Sequence, residues 1–407
     1  MNLVDSNSKK ALPAVGYLSG PVDARKVYRA WRDDSHTELF GTSYLRHWFN
    51  EVDTQGRRGV VVTSEPGEAY EETFDNFTVL NRPKPTSGGL RYHIDMIRWT
   101  RDRLREFEEA GVQTLVMTDA PQYWFVTPPI RRRGMKFVNS FHCAIRSLGH
   151  KKFSPHELLI RAASRVHMAN GDPSMVIVEP ILEELAGMPG ADRRNTYLLR
   201  PDYNEGLFAD FAPPKIAEGS QDVVRVMFAG RITRNKGVFD ILDMAENLAA
   251  RDGMSVLFDV HGTGSHLDEL RLEIARRDLA GLVTVHGFTA GVELLDHYRR
   301  ADIVIVPTRS DFEEGVAKSV IEGVLTLRPV VTSQACPSIR VVGEACVEAE
   351  VDNPSSYADA IWQLANDPEL VREKVEAAQR LRRLFFDPPE RYDRQLRKAL
   401  AVAEGRA

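Results

Sequence analysis

Two cations flank one turn near the middle of the chain. Gly230-Arg231 is followed by Ile232-Thr233-Arg234-Asn235 and then by Lys236-Gly237. A strand that runs through such a turn into a helix points backbone N–H groups at one spot. Arg231 and Lys236 would make that spot a site for a diphosphate, and the glycines would let a ligand come close. Standing alone, the same turn fits a solvated surface with ordinary basic residues equally well. Further on, Thr308-Arg309-Ser310-Asp311-Phe312-Glu313 runs into Glu314-Gly315-Val316-Ala317-Lys318-Ser319-Val320-Ile321-Glu322-Gly323. A helix beginning near Gly315 would face its first amides toward a bound phosphate, hold Glu314 in the loop beside a sugar, and set Glu322 two turns on. Carboxylates suit this task because each oxygen accepts hydrogen bonds from adjacent hydroxyls, and a negative charge near an anomeric carbon favours an oxocarbenium-like state. In a chain with 58 acidic residues such a pair also arises by chance, so the surrounding elements decide.

Those elements read as a parallel sheet covered by helices. From Val223 onward, short β-branched runs alternate with longer amphipathic segments. Strands are predicted at Val223–Ala229, Ser255–His261, Val283–Gly287, Asp302–Pro307 and Pro329–Ser333, most of them continuous apolar runs of the kind buried on both faces. Between the first two, Val238, Ile241, Leu242 and Leu248 recur at helical spacing. The first half shows the same grammar: strands at Ala14–Leu18, Gly59–Thr63, Thr114–Thr118 and Phe137–Phe141, and helices around Trp48 and over Leu90–Gly111. Asp210–Ser220, with two prolines, a glycine and no apolar period, is the linker candidate. The predicted division is therefore an α/β domain over 1–212 and a second over 213–387. A last helix, within 388–407 and set off by Pro388-Pro389, would dock back on the first domain.

Composition agrees with two such domains. At 407 residues the chain exceeds the roughly 250–300 residues at which single cores stop growing. With 43% hydrophobic and 27% charged residues it falls among ordinary globular proteins rather than disordered or membrane-embedded ones. A net charge of −5 gives no overall attraction to nucleic acid. Cys143, Cys336 and Cys346 form neither a disulfide framework nor a C-x-x-C metal site, which fits a reducing cytoplasm. Lys9-Lys10 before the apolar run Ala11–Leu18 faintly resembles a leader, but the run is short and reads better as the first strand.

With the motifs and their order in view, the chain resembles the retaining glycosyltransferases of family four, whose GT-B fold sets two Rossmann-like domains face to face. Gly230, Arg231, Lys236 and Gly237 match the family's G-R turn and K-G; Glu314 and Glu322 match its glutamate pair. Between them, His261-Gly262-Thr263-Gly264 resembles its G-x-G turn, and Val283-Thr284-Val285-His286-Gly287-Phe288 its strand near the nucleotide base. The resemblance implies that Arg231 and Lys236 hold the donor diphosphate, that Glu322 meets the ribose, and that Glu314 meets the transferred sugar. It also implies a glycine loop at Gly41-Thr42-Ser43 near the donor phosphates, and a donor-sugar contact from His142; a satisfied structural histidine is the other reading of His142. The chain has Val316-Ala317 where the family has Phe-Gly, so the amides there would approach a phosphate less closely. The implied reaction is transfer with retention from a nucleotide-sugar, UDP-linked first and GDP-linked next. The leaving phosphate would take the acceptor proton, and no cofactor would be needed. No Asp-x-Asp occurs in the chain, so metal-independent activity is expected.

Three rivals stay in view. A two-domain oxidoreductase would want G-x-G-x-x-G after a strand, and Gly262-Thr263-Gly264-Ser265-His266-Leu267 lacks the third glycine. A nucleotide-sugar epimerase or a phosphorylase would use the same cleft, and a catalytically silent scaffold would bind without turnover. On the acceptor side, residues 131–165 carry nine Lys or Arg and one acid, Glu157. Such a segment suits an anionic membrane surface, placing the protein peripherally at the inner face, or a phosphorylated acceptor, and equally a merely solubilising face.

Overall fold

The structure, a computed structural model, describes residues 12–34, 43–118, 121–143, 155–168, 170–177, 179–187, 193–215, 223–253, 255–289 and 291–406. Runs such as Gly-Val-Val-Val-Thr at Gly59–Thr63 and Ile-Val-Ile-Val at Ile303–Val306 are buried at every position. Strands tolerate this only when both sheet faces are covered. The first domain contributes the strands β1 (Ala14–Leu18), β2 (Gly59–Thr63), β3 (Tyr70–Phe74), β4 (Phe77–Asn81), β5 (Val112–Met117), β6 (Lys136–Phe141), β7 (Ser174–Val176) and β8 (Thr196–Leu198). They form one sheet in the order β3-β4-β2-β1-β5-β6-β7-β8, parallel except for the β3–β4 hairpin at its edge. The second domain contributes β9 (Val223–Ala229), β10 (Ser255–His261), β11 (Val283–Gly287), β12 (Ile303–Val306), β13 (Val330–Thr332) and β14 (Cys346–Glu348). Their order is β11-β10-β9-β12-β13-β14, all parallel.

The five strands expected in the second half are all present, three with the expected bounds and two trimmed by a residue at each end. In the first half, Gly89–Glu109 is the long helix expected at Leu90–Gly111. The linker candidate lies partly outside the described residues, and its described start is packed. Phe211 is buried with Tyr203 and Phe208 against Leu295, Tyr298 and other second-domain residues.

The chain ends on the first domain. Helix Tyr392–Ala403 buries Tyr392, Leu396, Ala399 and Leu400 among Trp48, Phe49 and Val52. Full burial of each leucine contributes about 1.5–3 kcal/mol. The helix is fastened at its middle and at its C-cap: Arg397 grips Glu51 bidentately at 2.8 Å, and Glu404 accepts from the fully buried Arg57 at 2.7 Å. An apolar seam between the two sheets is lined by Ile177 and Leu198 from one side and by Val316, Ile321, Val341 and Phe385 from the other.

Candidate active site

The sheet order of the second domain sets where a site can form. From β9 the chain winds outward through β10 and β11, then returns to β12 on the other side. Ligands of open α/β sheets sit in the crevice beyond the strand ends at such a reversal. The loops there are stitched into one rim by backbone hydrogen bonds. Arg309 N–H donates to Asn235 O (3.0 Å), Gly230 to His261 O (3.0 Å), Ile232 to Thr263 O (2.8 Å) and Gly262 to Gly287 O (2.7 Å). The glycines make this stitching possible. A Cβ on Gly262, whose φ is +140°, would run into the Gly230 carbonyl oxygen, and one on Gly264 into that of Ile232. These glycines thus serve close approach of chain to chain.

Lys236 and Glu314 meet at the reversal as an ion pair, both largely shielded from solvent. Thr308, just past the end of β12, donates its hydroxyl to the same Glu314 oxygen at 3.1 Å. Phe312 lies under both cations, 4.2 Å from the Lys236 ammonium and 5.1 Å from the Arg231 guanidinium. Arg231 is otherwise exposed. Two positive charges and a carboxylate are thereby held together at one mouth, as an anionic leaving group and a polyol would require.

The helix expected to begin near Gly315 begins instead at Lys318, with Ala317 as its extended N-cap. The reason lies in the first domain: Gly315 pairs with Cys143 in an antiparallel bridge, where a Cβ would strike the His142 carbonyl oxygen. Val316 then packs against both domain cores, so these two residues are committed to the domain contact and cannot turn helical. The helix start has no side-chain cap, leaving its first amides unsatisfied by the chain's own side chains.

His142 follows β6 and faces this bridge. Its Nε2 shares a 2.7 Å hydrogen bond with Ser140 Oγ, and its ring stands edge-on to Tyr44 at 4.3 Å. Burial, reinforced by the Lys318 ammonium, pushes its pKa down to about 3, so the ring is neutral near pH 7. Glu322 is buried one turn into the helix and accepts from Tyr298 OH at 2.9 Å. Burial raises its pKa, with Tyr298 and Lys318 opposing. Its partners are thus different from those of Glu314. Gly287 adopts a positive φ of 78° at the end of β11, and Phe288 beside it is 75% exposed. Gly41 and Thr42 lie outside the described residues, and the adjoining helix Tyr44–Thr54 has Ser43 as its N-cap.

Thr308, Phe312, Ser140 and Cys143 carry no role in the sequence motifs, yet each touches a motif residue. Only the placement of Thr308 after a strand end gives a local signal. In the basic segment 131–165, Arg131 is held bidentately by Asp172 and Arg133 by Glu108. Two of its nine cations are therefore already neutralised, while Arg132, Lys136 and Arg165 are exposed. Among the described residues no helix is long and apolar enough to cross a membrane.

Residues 224–367, a span containing the second sheet, match the family described as glycosyl transferases group 1. No curated protein matches the chain by sequence. Among solved structures, sucrose-phosphate synthase from Thermosynechococcus elongatus is similar with a TM-score of 0.67 at 13% identity, covering 97% of this chain and 100% of that one. Anabaena HepE, in complex with UDP and glucose, gives 0.64 at 14% identity, covering 96% and 100%. A glycosyltransferase from Rickettsia africae gives 0.62 at 13% identity, covering 97% and 98%. At such identities the likeness is one of fold, and the fold is GT-B: two domains with largely parallel sheets, as in these enzymes.

Proposed function

We propose that the chain transfers a sugar from a nucleotide-sugar donor to an acceptor, with retention at the anomeric carbon and no metal at the diphosphate. The observation that carries the proposal is the Lys236–Glu314 pair, flanked by Arg231 at the reversal of the second sheet and next to the bridge that Gly315 makes with Cys143 of the first domain. Arg231, Lys236 and the uncapped amides at Lys318 and Ser319 would stabilise the charge that grows on the departing diphosphate. Glu314 would trade part of its contact with Lys236 for sugar hydroxyls once the diphosphate engages the lysine. Neutral His142 can donate or accept a hydrogen bond at the sugar without adding charge. The exposed Phe288 ring offers a stacking face for the base. UDP is favoured as the nucleotide because a structurally similar protein binds it.

The test is a transfer and hydrolysis assay with UDP-glucose and GDP-linked donors in the presence of chelator, with anomeric configuration read by NMR. Glu314→Gln should lower turnover by about 10²-fold or more, with the melting temperature of the variant recorded alongside. Turnover equal to the parent would remove Glu314 from the reaction. An unreactive protein that still binds donor would replace the enzyme with a binding scaffold.

A further inference from the structure

The second sheet carries a cluster to which the proposed donor site assigns no role. His261 closes β10, His286 lies in β11, and His297 sits in the helix Gly291–Arg300. Each presents one ring nitrogen, and the three nitrogens lie within 4.8 Å of one another. The His261 and His286 rings stack 4.3 Å apart with planes 5° from parallel. The His297 ring lies 4.1 Å from the first and 4.9 Å from the second.

Hydrogen bonding gives this trio a direction. His261 is buried, at 1% exposure; its Nδ1 meets Thr289 Oγ1 at 3.1 Å, while its Nε2 has no hydrogen-bond partner. A buried polar atom left this way is costly unless something outside the chain completes it. His286 Nε2 donates to Asp259 Oδ1 at 2.7 Å, leaving Nδ1 with its lone pair. A carboxylate behind an imidazole in this manner fixes the tautomer and strengthens the other nitrogen as a ligand. Stacking alone would be served as well by phenylalanine and does not account for three nitrogens converging, one of them buried and unpaired.

We propose that His261, His286 and His297 bind one late-transition divalent ion, zinc first, with a fourth position open to water. Three histidines and an open position form a familiar zinc set, and imidazole also suits nickel and copper. Zinc–nitrogen bonds of about 2.0–2.1 Å set tetrahedral nitrogens roughly 3.3 Å apart. Ring rotations that bring the nitrogens about 1.5 Å closer therefore close the site. The ion would sit at the ends of β10 and β11, one strand over from the Lys236–Glu314 pair at β9 and β12. It would tie the helix Gly291–Arg300 to the strand end that carries Gly287 and Phe288. The inference holds whether or not the chain transfers a sugar.

The test uses the full chain, free of any polyhistidine tag and stripped with chelator. Cobalt(II) is titrated first, followed by zinc in competition with a chromophoric chelator. One equivalent of cobalt should bind with the visible bands of tetrahedral cobalt and be displaced by zinc. His297→Asn and His286→Asn, at positions less buried than His261, should weaken binding at least tenfold. His266→Asn, in the same domain but outside the cluster, should leave it unchanged. Zinc should raise the melting temperature of the parent and not of His297→Asn. Failure of the parent to bind, or equal affinity in His297→Asn, would overturn the site.

Discussion

Replacing Lys236 by alanine removes half of an ion pair in which the two side chains are 14% and 8% exposed. Removing one partner of a buried pair costs about 3–5 kcal/mol, chiefly because the other charge is left behind. Here Glu314 keeps the Thr308 hydroxyl, and the cleft admits water on one side, so the lower end applies, about 3 kcal/mol. In a domain of this size that is a fall of about 6–12 °C in melting temperature. The loss belongs to the free protein and needs no donor. Glu314→Gln should cost less, since the Lys236 ammonium still lies over the Phe312 ring at 4.2 Å. Joining Lys236→Ala to Glu314→Gln leaves a neutral amide against Thr308 and no stranded charge. The double variant should therefore recover about 2 kcal/mol relative to the sum of the singles. The assay is thermal unfolding of all four proteins without nucleotide, at one pH and salt. If Lys236→Ala costs as much in the Glu314→Gln background as in the parent, the two side chains are uncoupled. Glu314 would then not be held by Lys236, and the account of the site would fall with it.

Other consequences are open to equally direct measurement. Gly262→Ala forces a Cβ into the Gly230 carbonyl at a φ of +140°, so it should destabilise by about 2 kcal/mol or more in urea unfolding; a neutral effect would show that the rim can shift to make room. Phe288→Ala, at a 75% exposed position, should change stability by less than about 0.5 kcal/mol yet weaken nucleotide binding by roughly 1–3 kcal/mol in calorimetry; unaltered affinity would remove the ring from the base site. His167 is buried with Nε2 donating to Asn139 at 2.9 Å, and burial, reinforced by Arg131, pushes its pKa from 6.5 down to about 3. Because the unfolded chain then takes up the proton more readily, the stability His167 confers is complete above about pH 6.5 and is lost as pH falls toward 3. Unfolding free energy should drop between pH 7 and pH 5, and drop less steeply in His167→Gln; identical slopes would exclude this residue as a source.

Much of this arrangement is visible in the sequence for one geometric reason. In a parallel sheet the loops after the strands all emerge at one edge, so a residue just past a strand end is placed before any side chain is considered. Arg231 after β9, Gly262 after β10, Phe288 after β11 and Thr308 after β12 obey that rule, and the β-branched runs that mark those strands are plain. Where the strand signal fades, so does the reading. β7, β8, β13 and β14 have three residues each, too few to establish a period, and of these only β13, whose Val330-Val331-Thr332 is β-branched throughout, is legible. β3 reads Tyr-Glu-Glu-Thr-Phe, an edge strand with Glu71 exposed and Glu72 half-buried against Arg25, so its apolar alternation is weak.

Contacts made at a distance are invisible for a different reason. Lys236 and Glu314 each signal a ligand, but nothing local says that, 78 positions apart, they also hold each other. The helix at Glu314-Gly315 reads as starting too early because its true start is set by Cys143 and His142, which arrive from the other domain. The three histidines come from two strands and a helix, so no fixed spacing joins them, and only the fold brings their nitrogens within reach. The same division separates the kinds of claim a strand-end motif can support. It locates a donor edge, because one sheet suffices to build it. It says little of an acceptor, because that side is built from the opposite domain, whose residues enter through contacts such as Gly315 with Cys143. Variants on the two faces of that bridge should accordingly separate: those at Arg231 or Lys236 should change donor affinity, and those at Ser140 or Tyr44, which position His142, should change turnover with donor affinity retained. Loss of donor affinity on both faces would mean that the bridge, rather than the second sheet, builds the donor site.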